Sequence, residues 1–217
     1  LYLLYDQVYW MLTFNDIHHV TPVALRLAMA PYTISVDAIS KAFASTGLRV
    51  GWLLGPTDIV RSMGDFIGHI GAWAPRPEQV ATAGLLVARP AIEEYNRVIR
   101  QGLQLRLDAL YAGITAMRER GLPVDAVPPA GAIYLSARFA LAGCRTPSGD
   151  TLHGNEEIRR YLLQEAGFAA VPFQAFGVEG DTGWFRLSAG AVSPNDIAEV
   201  LPRVAAAIDA VGVPSGR

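Results

Sequence analysis

The apolar positions of this chain follow two different periods. Early runs are short and continuous, whereas later ones recur every three or four residues. Residues 1–5 form an apolar run ended by Asp6, the pattern of a buried parallel strand reaching its C-terminal edge. Residues 32–36 alternate β-branched and small side chains and predict a second strand. Residues 50–54, closed by Gly55 and Pro56, predict a third. Between the first two, residues 15–30 gather mixed positions around Pro22 and read as a loop with a short helix. Helical periodicity follows at 57–67, at 78–88 behind Pro75 and Pro77, and at 91–120. In the last of these, Ile92, Tyr95, Val98, Ile99, Leu103, Leu107, Leu110 and Ile114 keep one face apolar, and Gly121 ends the pattern. A helix of about thirty residues is roughly 45 Å long, enough to join two domains.

The remainder changes character. Short strand patterns at 124–127, 133–138, 169–171 and 184–188 alternate with helical ones at 155–166 and 195–211, the latter opened by Pro194-Asn195-Asp196. That is the grammar of a small α+β domain. The expected architecture is therefore α/β: part of a large, mostly parallel domain over residues 1–92, then the long helix and a small C-terminal domain over 93–217. Ligands of open α/β sheets sit beyond the carboxyl ends of the strands. Asp6 and Lys41 would thus share one rim, provided that their strands are parallel neighbours.

Composition removes several classes of function. The 217 residues are 51% hydrophobic with a formal charge of −2, which suffices for one large or two small cores. Lysine and arginine are scattered rather than striped, so nucleic acid is not an expected partner of this segment. No run reaches the ~18 uninterrupted apolar residues of a membrane span. The opening LYLLYDQVYWMLTF lacks a basic leader and carries Asp6, so it does not read as a signal peptide. Starting in an apolar run without an initiating methionine, it predicts that the chain is the C-terminal part of a longer protein. Cys144 is the single cysteine, which excludes an internal disulfide framework and suits a reducing, cytoplasmic setting. His18 and His19 have no further ligand at helical or finger-like spacing, and no metal site is expected.

The chemistry-bearing candidates are few. Lys41 lies between Ser40 and Ala42 just after a strand, where an amine could condense with a carbonyl cofactor; a lone lysine there is otherwise a surface lysine. Arg49 could hold a phosphate through its planar fork, or be a surface ion-pair partner. Asp6 could pair with a protonated ring nitrogen, or merely cap its strand. Tyr9 could donate to a phenolic oxygen, or be a half-buried aromatic.

Their combination is more specific than any member. The order D-x-x-Y (Asp6, Tyr9), then S-K (Ser40, Lys41) with Lys41 35 positions after Asp6, then Arg49 eight residues on, resembles the pyridoxal-phosphate segment of class I and II aminotransferases. The resemblance continues through nearly the whole chain. Pro128 to Tyr134 is similar to the family's P-x-G-A-F/Y-Y strand, residues 170–177 to its V-x-P-G-x-x-F-G stretch, and Phe185-Arg186-Leu187-Ser188 to its F-R-I/L-S strand. The resemblance implies the fold-type I architecture, a homodimer, and transfer of an amino group from an L-amino acid to a 2-oxo acid. It also implies roles: a Schiff base on Lys41, cofactor contacts from Asp6, Tyr9, Ser40 and Arg49, and a substrate carboxylate gripped by Arg186 beside Tyr134. Trp73 and Tyr134 could line the cleft or belong to the core.

Departures from the family pattern are local. Ala38 stands where Ser or Gly is common, Ser45 where an apolar residue is usual, and Phe173 where Gly commonly follows Pro172. Family members also carry, upstream of D-x-x-Y, a phosphate loop, a ring-stacking aromatic and an Asn, none of which can be assigned here. In the dicarboxylate-specific branch an arginine precedes the region matching Trp73; residues 68–72 contain His69 instead, which could substitute or simply face solvent. Another pyridoxal-phosphate chemistry of the same fold (a β-lyase or a decarboxylase) and the effector-binding domain of an aminotransferase-like transcription regulator remain as alternatives. Tyr9 argues against the C–S lyase branch, which tends to carry His there.

Overall fold

The computed structural model describes residues 1–212. They form two compact units, one of Leu1–Arg100 with Ala130–Ala132, the other of Gln101–Pro129 with the described residues from Ile133 onward.

The first unit contains β1 (Leu3–Asp6), α1 (Pro22–Leu25), β2 (Thr33–Ala38), α2 (Ile39–Ala42), β3 (Gly51–Leu54), α3 (Thr57–Ile70) and α4 (Arg76–Val87). It also holds the first part of α5 (Arg89–Glu119), the helix in which the division between the units falls. The sheet order is β1-β2-β3. β1 runs parallel to β2, with Leu3 opposite Thr33 and Asp6 opposite Val36. β3 is antiparallel to β2, so the third strand does not continue the parallel arrangement. The reason is the connection. From Ala38 the chain makes only α2 and a single 3-10 turn (Thr46–Leu48) before β3 begins opposite Ala38 at Gly51. A parallel return carries the chain to the far end of the sheet, usually through a helix, and residues 39–50 hold only one α-helical and one 3-10 turn. Here the chain turns at one rim and comes straight back.

β1 also differs from expectation in burial. Its apolar residues are largely exposed, Leu4 at 65%, and among the described residues β2 is its one strand neighbour. The core of this unit is instead built from Leu12, Phe14, Ile34, Ile39, Ala42 and Val50.

The second unit holds the rest of α5 with β4 (Val124–Ala126), β5 (Tyr134–Phe139), α6 (Asn155–Ala166), β6 (Val171–Pro172), β7 (Trp184–Ser188) and α7 (Pro194–Asp209). Its four strands form one antiparallel sheet ordered β4-β5-β7-β6. Alternation along β5 and β7 sends Leu135, Ala137, Phe139, Phe185 and Leu187 into the core. The helices contribute one apolar face each: Leu103, Leu107, Leu110, Ile114 and Met117 from α5, Ile158 and Leu162 from α6, Val204 and Ile208 from α7. Tyr161 buries its ring between α6 and α7 and donates its hydroxyl to the carbonyl of Ala207 at 2.7 Å, which satisfies the one polar atom it takes inside. α7 starts with a capping box, Ser193 and Asp196 each bonding the other's backbone N–H.

Candidate active site

Three successive strand ends meet at one rim of the first sheet. β1 and β2, being parallel, both finish there, and antiparallel β3 begins there. Asp6 closes β1, Ser40 and Lys41 lie on α2 directly after β2, and Arg49 sits two residues before β3. The condition that the first two strands be parallel neighbours is met, and the reversal of β3 brings Arg49 to the same rim.

Local structure sets how each is presented. Asp6 is exposed, and its Oδ1 accepts the N–H of Val8 at 3.1 Å, which folds the chain into the turn carrying Tyr9. Tyr9 is half-buried in that turn, its carbonyl accepting from Leu12 at 2.9 Å. α2 is a single turn anchored by buried Ile39 and Ala42, which leaves Ser40 and Lys41 half-buried between them. Among the described residues no ion pair engages Lys41. Lys41 is also the only lysine of the chain: every other member of its 18 lysines and arginines is arginine. Arginine cannot give up its proton in a protein, whereas lysine can, so a covalent amine chemistry has one possible side chain here. That signal is legible in the sequence alone, outside any motif.

Arg49 is exposed and adopts the left-handed conformation at φ 57°, as does Ala44 at φ 48°. For residues other than glycine this backbone carries a cost of order 1 kcal/mol, and the two positions curl the short α2–β3 connection back to the rim. The Arg49 guanidinium donates to the Thr46 carbonyl at 3.0 Å. Gly51 is required by close approach rather than by its torsions. A Cβ there would lie 2.9 Å from the Asp37 carbonyl oxygen.

Asp37, four residues before Lys41, was not among the expected site residues. It is 6% exposed; its Oδ2 accepts the Trp10 indole N–H at 2.9 Å and its Oδ1 the Ala38 N–H at 2.7 Å. Burial raises its pKa above the ordinary 3.8, and neighbouring Asp6 pushes the same way; the two hydrogen bonds and His19 oppose them. A raised folded-state pKa means that the native chain holds the proton more tightly than the unfolded one. This contribution to stability is therefore greatest at low pH and is lost as pH rises through the folded value, the reverse of a salt-bridged acid. The Asp37 carboxyl carbon, followed by NMR, is expected to titrate above 3.8; a midpoint at or below that value contradicts the assignment. Asp37→Asn should flatten the corresponding slope of stability with pH.

In the second unit, Trp184, Arg186 and Ser188 project from the face of β7 opposite the core. Tyr134 on β5 pairs with Ser188, next to the Ser136–Arg186 pair. The Arg186 guanidinium carbon stands 4.2 Å from the Tyr134 ring centre and 4.1 Å from that of Phe176. The expected pair Arg186 and Tyr134 is thus in contact, and Phe176 joins it. Asp6, Tyr9, Ser40, Lys41 and Arg49 belong to the first unit, Tyr134 and Arg186 to the second.

The remaining candidates are placed as follows. Trp73 is 61% exposed, so it is not core; it lines a cavity of about 540 Å³ with Arg49, Trp52 and Gln79. His69 lies exposed in the last turn of α3. His19 contacts Tyr5, its Nε2 being 3.4 Å from the Tyr5 hydroxyl. Among the described residues no group of His, Cys, Asp and Glu is arranged to hold a metal ion. No described helix is long and apolar enough to cross a membrane.

The donor set of the first rim suits a phosphorylated pyridine aldehyde. It offers a carboxylate for a ring nitrogen, a phenol for a ring oxygen, a primary amine for the aldehyde, and a hydroxyl and a guanidinium for phosphate.

Comparison with known proteins gives a consistent result. The family described as "Aminotransferase class I and II" matches residues 1–204. The aspartate aminotransferase of Rhizobium meliloti (strain 1021) is 31% identical over 209 residues, which is 96% of this chain and 48% of that protein. The crystal structure of the Rhizobium meliloti aspartate aminotransferase superposes with a TM-score of 0.83 at 29% identity, covering 97% of this chain and 50% of that one. Thermus thermophilus aspartate aminotransferase with maleate gives 0.80 at 26% identity, covering 95% of this chain and 48% of that one. An aromatic aminotransferase from Pyrococcus horikoshii also gives 0.80 at 26%, covering 96% and 51%. The chain spans about half the length of the curated relatives it matches.

Proposed function

The chain belongs to the class I and II aminotransferase family, and from that membership we propose that the full-length protein is a pyridoxal-phosphate-dependent aminotransferase, moving the amino group of an L-amino acid to a 2-oxo acid. The observation that carries the proposal is the meeting of Asp6, Lys41 and Arg49 at three strand ends of one rim. Pyridoxal phosphate bound there would supply an electron sink for charge developing at the substrate α-carbon.

The side chains divide the work. Lys41 would hold the cofactor through its Nζ and, when its amine is free, would carry the substrate α-proton as a general acid–base. Asp6 keeps the ring nitrogen protonated, Tyr9 donates to the ring oxygen, and Ser40 and Arg49 bind phosphate. Arg186, with Tyr134 beside it, grips and orients the α-carboxylate. Residues 1–92 act as part of the large cofactor-binding domain, and 93–217 as the long helix and small domain. The full-length protein works as a homodimer in the cytoplasm, a setting that suits its unpaired, buried Cys144.

The fold does not choose the donor, since the Thermus thermophilus aspartate aminotransferase and the Pyrococcus horikoshii aromatic aminotransferase both superpose with a TM-score of 0.80. The test is a panel of L-amino acids with 2-oxo acids, full-length protein and pyridoxal phosphate. The proposal expects oxo acid and new amino acid in equal amounts. Ammonia or carbon dioxide without amino transfer would instead establish a lyase or a decarboxylase. Ligand binding without turnover would point to an effector domain.

A further inference from the structure

The surroundings of Arg186 assign a role to a residue that the family motifs leave without one. Its guanidinium carbon lies over two rings, 4.2 Å from the centre of Tyr134 and 4.1 Å from that of Phe176. A guanidinium held against rings in this way keeps its in-plane N–H groups for hydrogen bonding, and those form the edge that matches a carboxylate two-pronged. No ion pair among the described residues uses that edge. We infer that Phe176 is a positioning residue for carboxylate recognition, holding the Arg186 fork against two rings and shielding it from water. This rests on the reading of Arg186 as the carboxylate grip.

Phe176 could not do this from a loose loop, and its own placement is over-determined. It ends the 3-10 turn Phe173–Phe176, closed by Gly177 at φ 85°, and is 48% exposed. Gln174 of the same turn donates its amide to Asp181 Oδ1 at 2.8 Å and accepts from Asn155 Nδ2 at 2.7 Å. Asn155 is 1% exposed; its N–H donates to Asp181 Oδ1 at 2.7 Å and its Oδ1 accepts the Gly183 N–H at 2.9 Å. Each group of this network has a partner, so the turn is tied to the start of α6 and to the entry of β7, the strand that carries Arg186. Phe173 adds a second tie, packing edge-on against Phe176 and beside Trp184 with ring centres 6.4 Å apart in both pairs. Trp184 and Arg186 share one face of β7, so the turn that carries Phe176 is referenced to the strand that carries Arg186.

Two readouts on the full-length holoenzyme test this. The first is the NMR signal of the Arg186 Nε–H, which the flanking rings should shift upfield and protect from exchange. Phe176→Leu should move it toward the position of an exposed arginine, Phe176→Tyr should preserve it, and Gln174→Ala should weaken the effect. The second is equilibrium titration with maleate and 3-phenylpropionate as carboxylate probes and 2-phenylethylamine as a carboxylate-free control. Phe176→Leu should weaken carboxylate binding roughly tenfold, in line with a desolvated cation–π contact, and leave the amine unchanged. Arg186→Gln should weaken the carboxylates by about a hundredfold or more. If Arg186→Gln weakens carboxylates selectively but neither Phe176 nor Gln174 variants do, the inference is wrong and the Arg186 reading stands. If Phe176→Leu weakens amine and carboxylates alike, Phe176 is merely structural and the inference is overturned. If neither carboxylate binds the unaltered protein, or Arg186→Gln changes nothing, both fall together.

Discussion

Lys41→Ala is expected to reduce amino transfer by the full-length protein by more than about four orders of magnitude while leaving its stability within about 0.5 kcal/mol. Both halves of that expectation come from the same local structure. α2 is fixed by the buried side chains of Ile39 and Ala42, not by Lys41, whose amine enters no ion pair among the described residues. Removing the amine therefore deletes chemistry and spares packing. Within this chain no neighbour can take over, because it contains no second lysine. Turnover and thermal unfolding measured on one preparation check both parts. Near-normal turnover would remove Lys41 from the mechanism; lost turnover with an unfolded protein would make the residue structural.

The second large effect concerns the antiparallel unit. Phe139 is fully buried, with Phe168 at 5.9 Å and Phe185 at 5.8 Å, both edge to face. Phe139→Ala loses the transfer energy of the ring, leaves a cavity among rigid neighbours, and breaks two favourable ring contacts. The expected destabilisation is about 3–5 kcal/mol, read as a shift of the urea midpoint. A loss below about 1 kcal/mol would mean that the β5–β7 layer relaxes into the space, contrary to close packing.

How far the sequence anticipated this structure depends on the range of the interactions involved. The strand Trp184–Ser188 and the helix Asn155–Ala166 lie where the apolar period put them, since each has a single buried face. The long helix begins two residues before its expected start, at Arg89, and ends at Glu119 before Gly121, which turns back at φ 89°. Its first turn has no buried residue, so no apolar period marked it. The strand expected at 169–171 is instead Val171–Pro172, because pairing with β7 starts only at Val171. Direction and burial were less legible. Nothing in residues 50–54 announces an antiparallel strand; residues 39–50 turn back at the rim instead of crossing the sheet, and that decides it. An apolar run such as residues 1–5 looks the same on an edge as in the middle of a sheet. Among the candidate site residues, a motif makes some legible in the sequence, whereas roles defined by contacts across the chain are not. Asp37 is recognisable only through Trp10, 27 residues away, and Phe176, though it lies in the 170–177 stretch, shows a role only through the arginine it contacts. The Asn155–Gln174–Asp181 network joins three segments that no local pattern connects.

The central claim is that Lys41 is the covalent anchor for pyridoxal phosphate. It is tested most directly by borohydride reduction of the full-length protein with the cofactor, followed by tryptic mapping. Cleavage after Arg26 and Arg49 isolates residues 27–49, in which Lys41 is the only lysine. The account predicts one stoichiometric label, on that peptide. A label confined to another peptide, or a folded protein that takes none, would contradict it.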